Sequence, residues 1–158
     1  MANEIYLLPG TAVTWTDSGG DNAMTFASLA ADGVRVGAQD DLGAAARPRL
    51  YAWRFVVDGF STAPVVGETV DVYLAAGDGT YIDGNVGASD AAGSTAQLPN
   101  LLFLGSATVQ TTSTADDLVI SGQVELSHRY VSPVIHNNTA DALSGGRFIL
   151  QPVPDQIQ

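Results

Sequence analysis

The sequence predicts an all-β protein, a single β-sandwich of jelly-roll type with an extended arm at each end. Apolar and polar residues alternate with period two in most segments, as they do in strands. Glycine, proline and Asp-Gly pairs separate these segments. No segment has a helical apolar pattern long enough to form a stable helix. The 158 residues fit one domain of ordinary size, and we predict about eight strands within residues 22–151.

Residues 1–21 are predicted to form an N-terminal arm. A short apolar run, Ile5 to Leu8, comes before Pro9-Gly10, and a Thr-rich apolar piece covers residues 11–16. A turn rich in glycine and aspartate ends the arm at Asp21. These apolar groups need a partner surface, either in the same subunit or in a neighbour. Short strands are then predicted at residues 24–29 and 33–37.

Residues 49–77 have the clearest strand pattern, and we interpret them as two long strands that pair as a rigid hairpin. The turn between the strands contains Asp58-Gly59 and Ala63-Pro64. Large apolar side chains occupy one face of each strand, namely Tyr51, Trp53, Phe55 and Val57 in the first strand and Val70, Val72 and Leu74 in the second. We expect both of these faces to lie in the core.

Residues 77–100 form a long connection rich in Gly, Asp, Ala and Ser. Connections of this length are usually functional or mobile, so we expect a specialised surface here, with Tyr81 and Ile82 in contact with a partner. A calcium site is one hypothesis for this connection, because it contains four oxygen-bearing side chains, Asp78, Asp83, Asn85 and Asp90. Their spacing does not match an EF-hand, and turn formation explains the same residues.

Four strands are predicted in the C-terminal half, at residues 101–112, 118–126, 130–138 and 147–153. Alternation turns the following side chains inward: Phe103, Ala107 and Val109 in the first strand, and Leu118, Ile120, Val124 and Leu126 in the second. Pro133 places the third strand at a sheet edge or a bulge. Pro152-Val153-Pro154 begins an extended tail over residues 152–158.

The composition excludes several classes of function. Seventeen acidic residues against six arginines give a net charge of −11, which opposes binding to nucleic acid. The absence of cysteine removes disulfides and thiolate metal sites. No apolar run is long enough to cross a membrane. The N-terminus lacks the basic region of a secretory signal, so we expect synthesis in the cytoplasm of a host cell.

No residue pattern indicates catalysis or a bound cofactor. His128 and His136 lack the surroundings of a hydrolytic triad or a zinc site, and we expect no catalytic, cofactor-binding or metal-binding residues and no enzyme activity. The triplet Asn137-Asn138-Thr139 matches a glycosylation acceptor, which has no consequence without secretion. Tyr73 and Tyr81 are candidate exposed platforms for stacking on sugar rings, as in carbohydrate-binding β-sandwiches.

The order of the strand motifs resembles that of small virion proteins of tailed bacteriophages. The similarity runs through RLYAWRFVVDG, APVVGETVDVYLAAG, LLFLGSATV, RYVSPVIHNNTADAL and RFILQPVPDQIQ, and Leu150 to Asp155 is its most distinctive part. The resemblance implies a capsid decoration (cement) protein on a β-sandwich. Such a subunit lies on the outer head surface, commonly as a homotrimer, and ties neighbouring copies of the major capsid protein together.

The resemblance leads us to expect contacts with other subunits at the two arms and the long connection. The candidate interface residues are Ile5, Tyr6, Leu7, Leu8, Pro9, Tyr81, Ile82, Pro152, Val153, Pro154 and Ile157. Apolar arms would be covered by self-association or by the capsid. Two alternatives stay open. One is a phage tail, spike-base or fibre-associated structural subunit, and the other is a carbohydrate-binding β-sandwich module.

Overall fold

The computed structural model describes residues 10–44 and 47–153. In those residues it contains eleven β-strands: β1 (Val13–Thr16), β2 (Asn22–Ala23), β3 (Gly33–Val36), β4 (Asp40–Asp41), β5 (Leu50–Val57), β6 (Thr69–Gly77), β7 (Ala91–Ala92), β8 (Leu102–Thr108), β9 (Leu118–Glu125), β10 (Tyr130–Asn138) and β11 (Gly146–Pro152). Two 3₁₀ helices, Asp83–Asn85 and Leu98–Asn100, lie in the connection between β6 and β8. None of the described helices is long and apolar enough to cross a membrane.

The strands form two sheets packed face to face, which confirms the predicted sandwich. The first sheet has the order β2-β1-β11-β5-β9 and the second has the order β7-β3-β10-β6-β8, with β4 also paired to β10. When the two-residue strands β2, β4 and β7 are left out, eight strands remain, and the sheet β1-β11-β5-β9 faces the sheet β3-β10-β6-β8. If these eight strands are renumbered 1 to 8 in chain order, the two sheets have the orders 1-8-3-6 and 2-7-4-5. This is the jelly-roll arrangement of two Greek keys.

The two strands predicted within residues 49–77 do not form a hairpin. Strand β5 pairs with β9 and β11 in the first sheet, whereas β6 pairs with β8 and β10 in the second. The connection between them therefore crosses from one sheet to the other. Gly59 on this connection has a φ of +133°, and a side chain there would collide with the carbonyl oxygen of Thr114. The predicted apolar faces are confirmed, and they meet across the core.

The core between the sheets is built around stacked aromatic side chains. Phe148 of β11 is fully buried, with its ring 5.8 Å from Trp15 in an edge-on contact and 6.4 Å from Trp53 in a stacked one. Phe55 and Phe26 extend this set. Aromatic pairs of this kind add about 0.5–1.5 kcal/mol each beyond the burial of their area. Phe148 thus links the aromatic side chains of its two neighbouring strands, β1 and β5.

Part of the predicted N-terminal arm is a strand of the sandwich. Strand β1 pairs with β11 in register from Val13↔Leu150 to Thr16↔Arg147. Trp15 is fully buried, and its indole nitrogen donates a hydrogen bond of 2.6 Å to the carbonyl of Ala38. The prediction of an arm is wrong for residues 13–16. The strand has only four residues and Trp15 is its one fully buried side chain, so the sequence shows no clear strand pattern here. The short strand expected at 24–29 is also absent, since pairing stops at Ala23.

Strand β10 is central rather than an edge strand, although it contains Pro133. On one side it pairs with β6 over its whole length. On the other side β4 covers Tyr130 and Val131, and β3 covers only residues 134–137. Pro133 lies at the gap between these two short partners, where no neighbour requires an N–H donor. The carbonyl of Pro133 still accepts a hydrogen bond of 2.9 Å from the Gly37 N–H.

The connection from β6 to β8 folds over the outer face of the second sheet. Val86 and Leu98 are buried against Val34, Val36 and Val134 in a second, smaller apolar cluster, with Ala75 beneath. Tyr73, Ile82 and Leu101 pack around this cluster. The connection therefore covers one half of the outer face and leaves the other half open.

Candidate functional site

The open half of the second sheet carries three rows of side chains across β10, β6 and β8, which we call the three-strand patch. The rows follow from the strand register and are Asn138–Thr69–Thr108, His136–Asp71–Ser106 and Val134–Tyr73–Phe103. Paired residues on neighbouring strands project from the same face of a sheet. The patch thus combines two polar rows with one aromatic row beside the second apolar cluster.

Phe103 is the most exposed aromatic side chain of the patch. Its side chain is 53% exposed, and its ring lies 5.2 Å from that of Tyr73. The alternation of β8 predicts Phe103 on the inner face, and this prediction is wrong. The register shifts between Val72↔Gly105 and Tyr73↔Phe103, so β8 holds one extra residue at Leu104. A bulge reverses the alternation on one side of it, and Ala107 stays inside while Phe103 turns outward.

A sequence signal for this reversal exists at Gly105. An isolated glycine within a strand pattern is typical of a bulge or a close backbone approach. A side chain at 105 would lie 3.0 Å from Ile120 of β9, so the glycine permits β8 and β9 to approach at the edge of the sandwich. The exposure of Phe103 follows from this local irregularity.

Tyr73 lies at the border between the patch and the second apolar cluster. It is half-buried, between the exposed ring of Phe103 and the buried side chain of Val134. Burial raises the pKa of the Tyr73 hydroxyl, and the nearby carboxylate of Asp71 raises it further. The hydroxyl therefore stays protonated at neutral pH and can both donate and accept hydrogen bonds. Tyr73 was predicted as a platform residue, and the structure places it in the patch.

The polar row His136–Asp71–Ser106 holds three hydrogen-bonding groups side by side. The Ser106 hydroxyl donates to the Asp71 carboxylate, and the Nδ1 atom of His136 lies 3.9 Å from the other carboxylate oxygen. In a hydrolytic triad the histidine lies between the serine and the acid. Here Asp71 lies in the middle, so the histidine has no path to the serine proton. This arrangement suits hydrogen bonding to a ligand.

The predicted interface residues are only partly within the described chain. Tyr81 is 78% exposed and lies at the start of the connection, whereas Ile82 packs on the second apolar cluster. Pro152 ends β11, and the Val153 N–H donates to the carbonyl of Leu50. Ile5, Tyr6, Leu7, Leu8, Pro9, Pro154 and Ile157 lie outside the described residues.

The carboxylates of the long connection serve separate local contacts. Asp78 accepts hydrogen bonds of 2.8 Å from the N–H groups of Tyr81 and Thr80, which lower its pKa. Asp83 accepts from the Ala76 N–H, and Asp90 accepts from Arg35 and Thr25. Within residues 10–44 and 47–153, no three His, Asp or Glu side chains converge as metal ligands. Asp78 and Asp83 therefore stabilise local turns, and Asp90 attaches the connection to Arg35 and Thr25.

Comparison with known proteins found similar chains among the solved structures. No protein-family model and no curated protein matched the chain. One similar solved structure is the N-terminal cellulose-binding domain of β-1,4-glucanase C from Cellulomonas fimi, with a TM-score of 0.37, 10% identity, and coverage of 93% of this chain and 90% of that chain. Another holds the CBM22-1 and GH10 modules of endo-1,4-β-D-xylanase 10B from Clostridium thermocellum with xylohexaose. Its TM-score is 0.38 and its identity 8%, and the match covers 98% of this chain and 30% of that chain.

Proposed function

We propose that this protein is a carbohydrate-binding β-sandwich and that the three-strand patch binds a sugar chain. The observation that carries the proposal is the exposed ring of Phe103, which lies 5.2 Å from Tyr73 and next to a row of hydrogen-bonding side chains on the same sheet face. An aromatic ring offers a flat apolar surface to the C–H groups of a sugar. Neighbouring carboxylate, hydroxyl and imidazole groups bind sugar hydroxyls.

The patch supports binding without a chemical step. Asp71 and Ser106 are already hydrogen-bonded to each other, which fixes the direction of their free lone pairs and of the hydroxyl. Asp71 and His136 are mostly buried, with 16% and 14% of their side chains exposed, so their positions are held before a ligand arrives. A prearranged surface loses less conformational entropy on binding. The role proposed here is therefore recognition.

The test is calorimetric titration with cellohexaose, xylohexaose and chitohexaose, first with the wild type and then with Phe103→Ala. Loss of the stacking ring should weaken binding about two- to tenfold, the range expected for one aromatic contact. Val119→Ala is a matched control, because Val119 is also 53% exposed but lies on the first sheet in β9. Wild-type binding to none of the three sugars, or an equal loss in both variants, would contradict the proposal.

A second candidate function is the phage structural role, as a capsid decoration protein or another virion subunit. It is supported by the contact between Gly10 and the end of β11. The Gly10 N–H donates a hydrogen bond of 3.3 Å to the Pro152 carbonyl, and the Gln151 side chain donates to the Gly10 carbonyl. Gly10 and Pro152 therefore lie side by side at one corner of the sandwich, and two arms that bind the same neighbour would need such an arrangement.

This second candidate is tested by light scattering of the full chain and of a chain without residues 1–9 and 154–158. A subunit that assembles through its arms should form a homotrimer when complete and a monomer when shortened. An unchanged mass would count against the role of the arms. Sugar binding through the patch does not depend on these segments, so the shortened chain also separates the two candidates.

A further inference from the structure

Arg54 differs from the other arginines because it has no partner within the described residues. Four of the six arginines form ion pairs, namely Arg35 with Asp90, Arg49 with Glu125, Arg129 with Asp41 and Arg147 with Asp58. Arg47 donates to the carbonyls of Gly43 and Ser127. Arg54 is exposed on β5, the strand between β9 and β11. An unpaired cation is unusual in a chain with 17 acidic residues.

The surroundings of Arg54 form a polar groove on the outer face of the first sheet, opposite the three-strand patch. Its neighbours across the strands are Ser121 and Ile149, and the next row holds Gln123, Ala52 and Gln151. These residues line a groove of about 460 Å³. Ala52 is small, so the centre of the groove is open between the two glutamines.

The charges on this face are balanced at its two ends but not at its centre. Glu125 is paired with Arg49 at one end, at 2.8 Å, and Asp58 is paired with Arg147 at the other, at 2.7 Å. None of the side chains that line the groove is acidic. The groove is therefore a local positive site on a protein whose net charge is −11.

We propose that this groove binds a carboxylate-bearing sugar, such as a uronic acid unit, with the carboxylate on Arg54. A guanidinium group matches a carboxylate in geometry and can form two parallel hydrogen bonds to it. The amides of Gln123 and Gln151 and the hydroxyl of Ser121 supply donors and acceptors for the ring hydroxyls. Half of the eight lining residues have polar side chains, namely Arg54, Ser121, Gln123 and Gln151, which suits a polyhydroxylated ligand.

This site is separate from the one in the proposed function. The groove and the three-strand patch lie on opposite sheets, so one sugar unit cannot touch both. Neutral sugars are expected on the patch and acidic sugars in the groove. If no sugar binds at one site, the proposal for the other site still stands. Substitutions can be made in each site without changing the other.

The test uses trigalacturonic acid and its fully methyl-esterified form, titrated into ¹⁵N-labelled full-length protein and followed by the shifts of backbone amides. The acid should produce saturable shifts in β5, β9 and β11, with weaker binding as salt is added. Arg54→Gln should weaken binding about tenfold or more. Arg49→Gln is the control, because Arg49 is also exposed but is already paired with Glu125, and this variant should bind like the wild type.

Several results would overturn the inference. They are the absence of saturable shifts at low salt, equal binding of the acid and its ester, and unchanged binding by Arg54→Gln. Equal losses in both arginine variants would show that general charge is responsible. Shifts confined to β6, β8 and β10 would place acidic sugars on the patch, which contradicts a second site while leaving the proposed function intact.

Discussion

Asn137 is a buried polar side chain that joins two backbone segments to β10. Its amide group donates to the carbonyls of Leu29 and Ala30, both at 3.0 Å, and to that of Asp141 at 2.7 Å. Its oxygen accepts from the Thr139 hydroxyl at 2.8 Å. Asn137 is fully buried, so the sequence match to a glycosylation acceptor is explained by structure: these residues hold two loops against the strand.

Asn137→Leu should therefore destabilise the fold. The change removes the four hydrogen bonds of the buried amide, and each such bond contributes about 0.5–1.5 kcal/mol. Urea denaturation would measure the free energy of unfolding. Asn138→Leu is the neighbouring control, because Asn138 is exposed and its side chain donates one long hydrogen bond, of 3.4 Å to the Thr69 hydroxyl, among the described residues. Similar losses in the two variants would show that the buried network contributes little.

Asp90 links the connection between β6 and β8 to the rest of the second sheet. Its carboxylate accepts from the Arg35 side chain at 2.5 Å and from the Thr25 hydroxyl at 2.6 Å, and 15% of it is exposed. Partial burial alone would raise its pKa, but the hydrogen bonds from Arg35 and Thr25 outweigh burial. The pKa of Asp90 is therefore below its ordinary value of 3.8.

This lowered pKa predicts a defined pH dependence. A carboxyl group with a lowered folded-state pKa contributes its stabilisation above the unfolded value, and the contribution is lost as pH falls through the folded value. Asp90→Asn should reduce the free energy of unfolding by about 1–3 kcal/mol at neutral pH. The difference from the wild type should shrink as pH drops below 3.8. Thermal unfolding across this range would measure it, and a constant difference would contradict the assignment.

At the residue scale, the strands with regular alternation were predicted best from sequence. Tyr51, Trp53 and Phe55 are buried as predicted, because every second residue of β5 faces the core. Phe103 could not be placed in this way, since the bulge at Leu104 depends on how β8 fits against β6. The most exposed ring of the candidate site was therefore the one that periodicity assigned to the interior.

At the element scale, the connection from β6 to β8 is held by its own small apolar cluster. Leu98 and Val86 supply the buried side chains from the connection, and β3, β6 and β10 supply the surface beneath them. Composition predicted a long specialised segment, but the sequence did not reveal that it packs on the sheet. Only four sizeable apolar groups occur in it, and their burial depends on the exposed face of a sheet formed by distant strands.

Leu98→Ala should loosen this connection without unfolding the sandwich. Truncation of a leucine in a packed cluster costs about 2–5 kcal/mol. This cost should mainly lower the free energy of local opening of the connection rather than that of global unfolding. Hydrogen exchange would show faster exchange for amides of residues 82–101 and unchanged protection in β5 and β11. Leu143→Ala is the contrasting variant, because Leu143 belongs to the main core and should reduce protection in both sheets. Loss of protection in both sheets by Leu98→Ala would contradict an independent cluster.

Strand pairing was predicted less well than strand position. The two strands in residues 49–77 are each correct, yet they belong to different sheets because the turn-rich segment between them is long enough to cross the sandwich. Pro133 was predicted to lie at a sheet edge or a bulge, because proline cannot donate a hydrogen bond to a neighbouring strand. The gap between β3 and β4 removes the need for that hydrogen bond.

At the scale of the whole molecule, the jelly-roll sandwich was predicted from strand number, turn signals and the lack of helices. The order of the strands follows from contacts between residues far apart in the chain, such as those of β1 with β11, and no local pattern encodes them. The fold presents two different faces: an aromatic and polar patch on the second sheet and a polar groove around Arg54 on the first. We propose that recognition occurs on these sheet faces.

The central claim is that a sugar binds the three-strand patch. The most direct measurement is a titration of ¹⁵N-labelled protein with cellohexaose, xylohexaose and chitohexaose in turn, followed by amide and aromatic ring shifts. The account predicts that at least one of them produces saturable shifts in residues 69–73, 103–108 and 134–138 and in the ring of Phe103. Shifts confined to other parts of the sandwich, or no saturable shift with any of the three, would contradict it.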